Sequence, residues 1–233
     1  MAIAFDAQSA SAYESGTTLT FAHTCTGSDR ILLVGVYTSS VDNVGSVTYN
    51  GVSCTFINRV TVTGTQDIYL YYLIAPATGS NNIVVTAAVG NLLGYAAATS
   101  YTGVKQSGQP DASATNQSAS TTSLTTSVTT VADNCWLVGF GYGQTSTAGS
   151  GTVFRSEPVN DVLFMMDSNG AKTPAGSYGL TFTQSTNFAG ACVASIAPAI
   201  TTTIKTINGV TYANTKTFDN IAIANVKTIN GVA

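Results

Sequence analysis

Hydrophobic residues alternate with polar ones over short stretches of this chain, or fill such stretches completely, and both patterns belong to β-strands. Residues 17–24 (TTLTFAHT) alternate, placing Leu19, Phe21, His23 and the following Cys25 on one face. Residues 30–37 (RILLVGVY) are almost wholly apolar, as in a central strand covered on both sides. In 47–57 (VTYNGVSCTFI) the pair Asn50-Gly51 is a hairpin signal between two strands. Residues 67–74 (DIYLYYLI) predict another strand, ended by Pro76 and Gly79, and 82–89 and 93–101 complete a set of about six.

Residues 105–123 (KQSGQPDASATNQSASTTS) have no apolar period and predict a surface crossover or loop, and 143–161 predict a second long loop. After the first of these the pattern partly returns. LTTSVTTV (124–131) echoes LTFAHT, and WLVGFGY (136–142) echoes LLVGVY, with Leu137-Val138-Gly139 over Leu33-Val34-Gly35. PAGSYGLTFT (174–183) echoes PATGSNNIVVT (76–86), and AGACVASI (189–196) echoes GYAAATSY (94–101). The echoes keep one order, which predicts two half-units of one antiparallel sandwich, each giving strands to two sheets.

The last thirty residues follow a different rule. They read IKTINGVTYAN, TKTFDNIAIAN and VKTINGVA, so that Lys205, Lys216 and Lys227 recur every 11 residues. Ile207, Phe218 and Ile229 keep the same spacing, as do Asn208, Asp219 and Asn230. Each unit is a β-prone run, a turn signal (Asn208-Gly209, Asp219-Asn220, Asn230-Gly231) and a second β-prone run. Such units bury their apolar faces by stacking on copies or neighbours. The segment is too small to hold a core alone, so it is expected to pack on the body, on symmetry mates or on a partner. The chain therefore divides into an all-β body, 1–199, and an assembly segment, 200–233.

Composition narrows the function. Charged residues are 8% of the chain against a norm near 25%, while hydrophobic residues reach 44%. The formal net charge is −3 and no basic patch is visible, which argues against nucleic acid as a partner. No stretch approaches the roughly 20 apolar residues of a membrane span, and the start, MAIAFDAQSAS, has no secretory-signal pattern. Cys25, Cys54, Cys135 and Cys192 lie far apart with one histidine in the chain, which disfavours zinc. Free buried thiols are expected, with one or two disulfides as the alternative.

Candidate chemistry is sparse. His23 shares a face with Leu19 and Phe21 and is expected to be a hydrogen-bonded core histidine. No nucleophile-elbow motif accompanies it, and most aspartates (Asp29, Asp42, Asp133, Asp219) sit in turn contexts, so no enzyme, cofactor or metal is expected. Asp161, Asp167 and Asn169 lie near one another but form a poor calcium cage. Tyr69 and Tyr71 share a strand face that is either core, a subunit interface or an exposed glycan-binding patch. Trp136, with Val138 and Phe140, is expected in the core. The repeat lysines are expected to be edge charges that block unwanted strand pairing, or else a positive ladder for an acidic partner.

The stretches LTFAHTCTGSDRILLVGVYT, VTYNGVSCTFI, IYLYYLIAPATGSNNIVVT and ATSYTGVKQ resemble a family of jelly-roll, concanavalin-like β domains common in phage and environmental bacterial sequences. The tail is similar to the KTxNG-type C-terminal repeats of phage tail and fibre proteins. Together these resemblances imply a jelly-roll sandwich followed by β-repeats, in a structural protein of a virion or extracellular filament. They imply assembly through Lys205, Ile207, Asn208, Gly209, Lys216, Phe218, Lys227, Ile229, Asn230 and Gly231. The implied partners are copies of itself, a homotrimer by analogy with fibres, and other virion proteins. The alternative is a receptor- or glycan-binding module using Tyr69 and Tyr71, with a host-surface glycan as partner. A secreted carbohydrate-active accessory domain is a third reading, and it would be expected to carry disulfides.

Overall fold

The computed structural model describes residues 2–40, 42–62, 64–92, 94–156 and 162–199, and the backbone of four two-residue strands in the tail. The chain divides into two units, Met1–Ala199 and Ile200–Ala233. Among the described residues the secondary structure is strand throughout, all of it antiparallel, and no helix is long and apolar enough to cross a membrane.

The first half of the body is a two-layer sandwich. Its inner sheet runs β1(Ala4–Ala10), β9(Gly94–Thr102), β3(Ile31–Thr38), β7(Asp67–Ile74), β6(Thr55–Thr61). Its outer sheet runs β2(Thr18–Cys25), β8(Gly79–Ala87), β4(Val44–Tyr49), β5(Val52–Ser53). The alternation of β3 explains the packing. Leu32, Val34 and Val36 face the outer sheet with Leu19, Val47, Ile83 and Val85. Ile31 and Leu33 face away, into a second core.

The second half makes one continuous sheet, β10(Ala112–Thr129), β15(Ser177–Ile196), β11(Trp136–Gly143), β14(Leu163–Asp167), β13(Val153–Phe154), with β12(Thr147–Ala148) on β15. The long ribbon of β10 and β15 shifts register between Ser118 and Ser123, and such bulges bend a strand pair. Beyond the bend Leu124, Val128, Leu180 and Phe182 pack back onto Leu137, Phe164 and Met166 of their own sheet. This half therefore also forms two layers.

The halves are two copies of one arrangement. The inner order β1-β9-β3-β7-β6 is repeated by β10-β15-β11-β14-β13, and the outer order β2-β8-β4 by β10-β15-β12. Ile31 lies opposite Tyr101 in the first copy as Trp136 lies opposite Ile196 in the second. That register puts Leu32 on Leu137, Tyr37 on Tyr142 and Ser100 on Ser195. Asp29 and Asn134, equivalent by the same count, both take left-handed backbone, with φ of 51° and 61°. The two copies stack inner sheet to inner sheet. Phe140, Met165 and Cys192 of one meet Leu33, Leu70 and Ala97 of the other, and Tyr37 stacks on its counterpart Tyr142 at 5.9 Å. Gly35 makes room at this joint, since a Cβ there would sit 2.2 Å from the Phe140 ring.

Five expectations are corrected. One sandwich shared by two half-units is replaced by two stacked sandwiches, one per half. The echo is in register one residue away from Leu33 over Leu137, because a one-residue slip would exchange the two faces of the strand. Residues 112–123, expected as loop, belong to β10: backbone hydrogen bonds to β15 hold them, and a face left in water shows no apolar period. The separate segments 174–183 and 189–196 are parts of the single bent strand β15. The second expected loop, 143–161, contains β12 and β13, with 157–161 outside the described residues. β1 and β14 were not expected at all.

In the tail, Thr206–Ile207 pairs with Val210–Thr211, and Thr217–Phe218 with Ile221–Ala222. These are two short hairpins in the same phase of successive 11-residue units.

Candidate functional site

A recess opens at the edge of the first sandwich, beside β6 and β7. Its volume is about 370 Å³ and it is lined by Asp42, Val44, Phe56, Arg59, Tyr69 and Tyr71. Alternation on β7 sends Tyr69 and Tyr71 toward the outer sheet, where both join the first core and are nearly buried. Their rings stack at 6.4 Å, and Phe56, across the ladder from Tyr71, meets it edge-on at 5.5 Å while remaining 51% exposed. The two tyrosines are thus core residues whose outer ends form the back of a recess, with Phe56 as its exposed rim.

Charge enters from three residues. Arg59 forms an ion pair with Asp42, lies 3.5 Å from the carboxylate of fully buried Asp67, and places its guanidinium 5.9 Å over the Tyr69 ring. Asp67 Oδ2 accepts hydrogen bonds from the Asp42 backbone and the Tyr69 hydroxyl, and Asn43 N–H donates to that hydroxyl at 3.1 Å. Asp67 Oδ1 has no partner. Burial, then the neighbouring Tyr69, pushes the Tyr71 phenol up to about 12, so it remains a neutral donor. Sequence reasoning named Tyr69 and Tyr71 but missed Phe56, Arg59 and Asp42, whose meeting depends on strand pairing and on the loop before β4.

His23 is buried in a hydroxyl relay. Its Nδ1 lies 2.8 Å from Ser9 Oγ and its Nε2 3.1 Å from Ser100 Oγ, while Ser100 donates to Asp6 Oδ2 at 2.7 Å. Asp6 also accepts from the backbone and hydroxyl of Thr26. The second sandwich contains the same strap without the histidine. There Asp111 accepts from Ser195 at 2.9 Å and from Val131 N–H at 2.7 Å, and Val128 stands at the position of His23. The aspartate–serine pair is therefore a fastening of the fold, tying Asp6 on β1 to the turn before β3 and Asp111, just ahead of β10, to the turn before β11.

Burial lowers the His23 value from 6.5 to about 4, against the opposing pull of Asp6. The folded state binds this proton less readily than the unfolded chain. Stability from this group is complete above pH 6.5 and is lost as pH falls toward 4, a loss of about 3 kcal/mol. Unfolding in urea at pH 7 and pH 4.5 checks this. His23→Val, the second copy's residue, is expected to remove most of the difference, and an unchanged difference would show that other groups carry it.

The remaining expectations resolve as follows. Asp167, named as a weak calcium ligand, is buried on β14 and occupied by Arg155 and Tyr101, while Asn169 accepts from Arg155 at 2.7 Å. Asp161 lies outside the described residues. No cluster of three or more metal-ligating side chains occurs among the described residues. All four cysteines are free and burial raises each thiol, so the disulfides expected of the secreted reading are not formed. Trp136 packs partly buried against the joint, edge-on to Tyr101 at 6.0 Å. Of the assembly residues, Ile207 and Phe218 fall in the tail hairpins, whereas Lys205, Asn208, Gly209, Lys216, Lys227, Ile229, Asn230 and Gly231 lie outside the described residues. No family model, curated protein or solved structure matches the chain.

Proposed function

We propose that this chain is a non-enzymatic structural protein of a phage virion or a related extracellular filament. Its body would be a pair of jelly-roll sandwiches and its C-terminal repeats an assembly device. The observation that carries the reading is the tail itself, a separate unit in which short hairpins recur in the phase of the 11-residue repeat. A two-residue hairpin is not stable alone and gains stability by adding its edges to further strands. Copies of the chain supply such strands in a homo-oligomer, for which we favour a trimer by analogy with fibres, and neighbouring virion proteins supply them in a larger assembly. The jelly-roll reading of the body is supported by strand order. Apart from the neighbouring pairs β4–β5 and β6–β7, successive strands pass between the two sheets of the first sandwich, and the first strand, β1, lies beside the last, β9. Deleting 200–233 tests the proposal: the shortened chain is expected to stay folded and to lose its self-association.

A further inference from the structure

We propose that the tail hairpins of a second copy of this chain add as strands to a free sheet edge of the body, an edge that the duplication presents twice, on β2 and on β10 beyond its bend. The proposal rests on the assembly reading above and names the surface that receives the tail.

Hydrogen bonds define which backbone groups are free. Ala87 N–H donates to Thr17 C=O at 2.9 Å in the ladder of β2 with β8, so by alternation the backbone groups of Thr18, Thr20, Ala22 and Thr24 turn outward. Thr130 N–H donates to Gly176 C=O at 2.9 Å in the ladder of β10 with β15, which turns those of Thr125, Ser127 and Thr129 outward. Counted from His23 and Val128, Ala22 and Thr24 are the equivalents of Ser127 and Thr129. Both edges have dedicated partners at their ends. In the first copy Gly16 C=O accepts from Leu92 N–H, and Thr26 N–H donates to Asp6. In the second Thr125 C=O accepts from the Asn116 amide, and Val131 N–H donates to Asp111. Between these caps, among the described residues, β2 pairs with β8 alone and β10 with β15 alone, and every outward residue is exposed.

An open edge is a template for strand pairing, and proteins guard such edges with charge, bulges or cover. The inner-sheet edges of the first copy are guarded in this way. β1 carries Asp6 and a bulge, β6 carries Arg59 and a bulge, and Asn58 of β6 donates to Ala114 C=O on the near end of β10 at 3.2 Å. The runs 18–24 and 124–129 contain no acid or base except the buried His23. The tail suits them in length and in charge. Its described strands are two residues long, short enough to fit between the caps of either edge. It carries three lysines against one aspartate, whereas residues 1–199 carry five lysines and arginines against ten aspartates and glutamates. Opposite signs favour tail on body, while two bodies meeting edge to edge would bring like charge together.

Amide hydrogen exchange on the full chain tests this, in samples above and below the concentration at which it associates. Association is expected to slow the amides of Ala22 and Thr24, or of Ser127 and Thr129, at least tenfold. Ala22→Pro combined with Ser127→Pro removes two outward N–H groups and no ladder bond, and is expected to weaken association at least tenfold. Ala22→Lys combined with Ser127→Lys is expected to do the same through edge charge, with the melting temperature unchanged. Association without slowing at either edge, or at full strength in both double variants, would overturn the proposal and leave the assembly reading standing. A full chain that stays monomeric at every concentration would overturn both. Slowing that persists in the full chain carrying Ile207→Pro and Phe218→Pro would show body edges pairing with each other, and would overturn the tail as their occupant.

Discussion

Replacing Asp167 with alanine is expected to destabilise the body by about 3–5 kcal/mol, the range for removing one partner of a buried ion pair. The carboxylate has no exposure to water and serves both copies. From its own copy it accepts from Arg155 Nε at 2.6 Å, Arg155 Nη2 at 3.0 Å and Asn169 N–H at 2.8 Å. From the first copy it accepts from the Tyr101 hydroxyl at 2.8 Å, and Arg155 itself lies 4.4 Å over the ring of Phe5. Alanine would leave the buried Tyr101 hydroxyl without this acceptor and the Arg155 guanidinium without its carboxylate, with only Asn169 Oδ1 remaining of the acceptors named here. Tyr101→Phe removes a single bond and is expected to cost about 1–2 kcal/mol. Chemical unfolding of the three proteins gives the comparison, and an Asp167→Ala cost below that of Tyr101→Phe would refute the role of this carboxylate as a fastener between copies.

Phe140→Ala is the second large effect, about 3–5 kcal/mol, because it empties the centre of the same joint. Phe140 is fully buried and fills the space that Gly35 leaves on the facing sheet. The pair makes a sharper forecast than either residue. Gly35→Val places new carbon where the Phe140 ring now lies, and overpacking of this kind costs about 1–3 kcal/mol. In the double variant the valine enters the vacated space, so the combined cost is expected to fall below the sum of the single ones by at least about 1 kcal/mol. Simple additivity in a double-mutant cycle would mean that the two sheets do not meet at these residues.

The strands that the sequence announced are those covered on both faces. β3 and β7 carry near-continuous apolar runs because each lies between an outer sheet and the other copy. β10 was hidden for the opposite reason. It is an edge strand whose Ser, Thr and Asn side chains largely face water, and its ladder to β15 uses backbone groups that composition does not report. The duplication was audible in Leu-Val-Gly and in the Gly-Ser turns. Its register was not, since Leu33 and Leu32 serve equally as matches for Leu137 until strand pairing fixes which face each occupies. For the recess, Tyr69 and Tyr71 were legible as an aromatic pair on one face. Arg59 and Asp42 were not, because 17 residues of sequence separate them and only the fold brings them into an ion pair.

The duplicated body also explains how the chain does without many charges. Most of its apolar side chains are consumed in three cores, one within each sandwich and one between them. The outer faces are left to hydroxyls and amides, as where Thr125 meets Thr181 and Thr147 meets Thr183 in hydrogen bonds of 2.7 Å. The self-association proposed above is assigned to the tail hairpins, whose two-residue strands need further strands to be stable.

That claim is tested most directly by light scattering on the full chain beside a chain ending at Ala199, at matched concentration. The account predicts a discrete oligomer or filament for the full chain and a folded monomer for the shortened one. A full chain that is monomeric, or a shortened chain that keeps the full chain's oligomeric state, would contradict it.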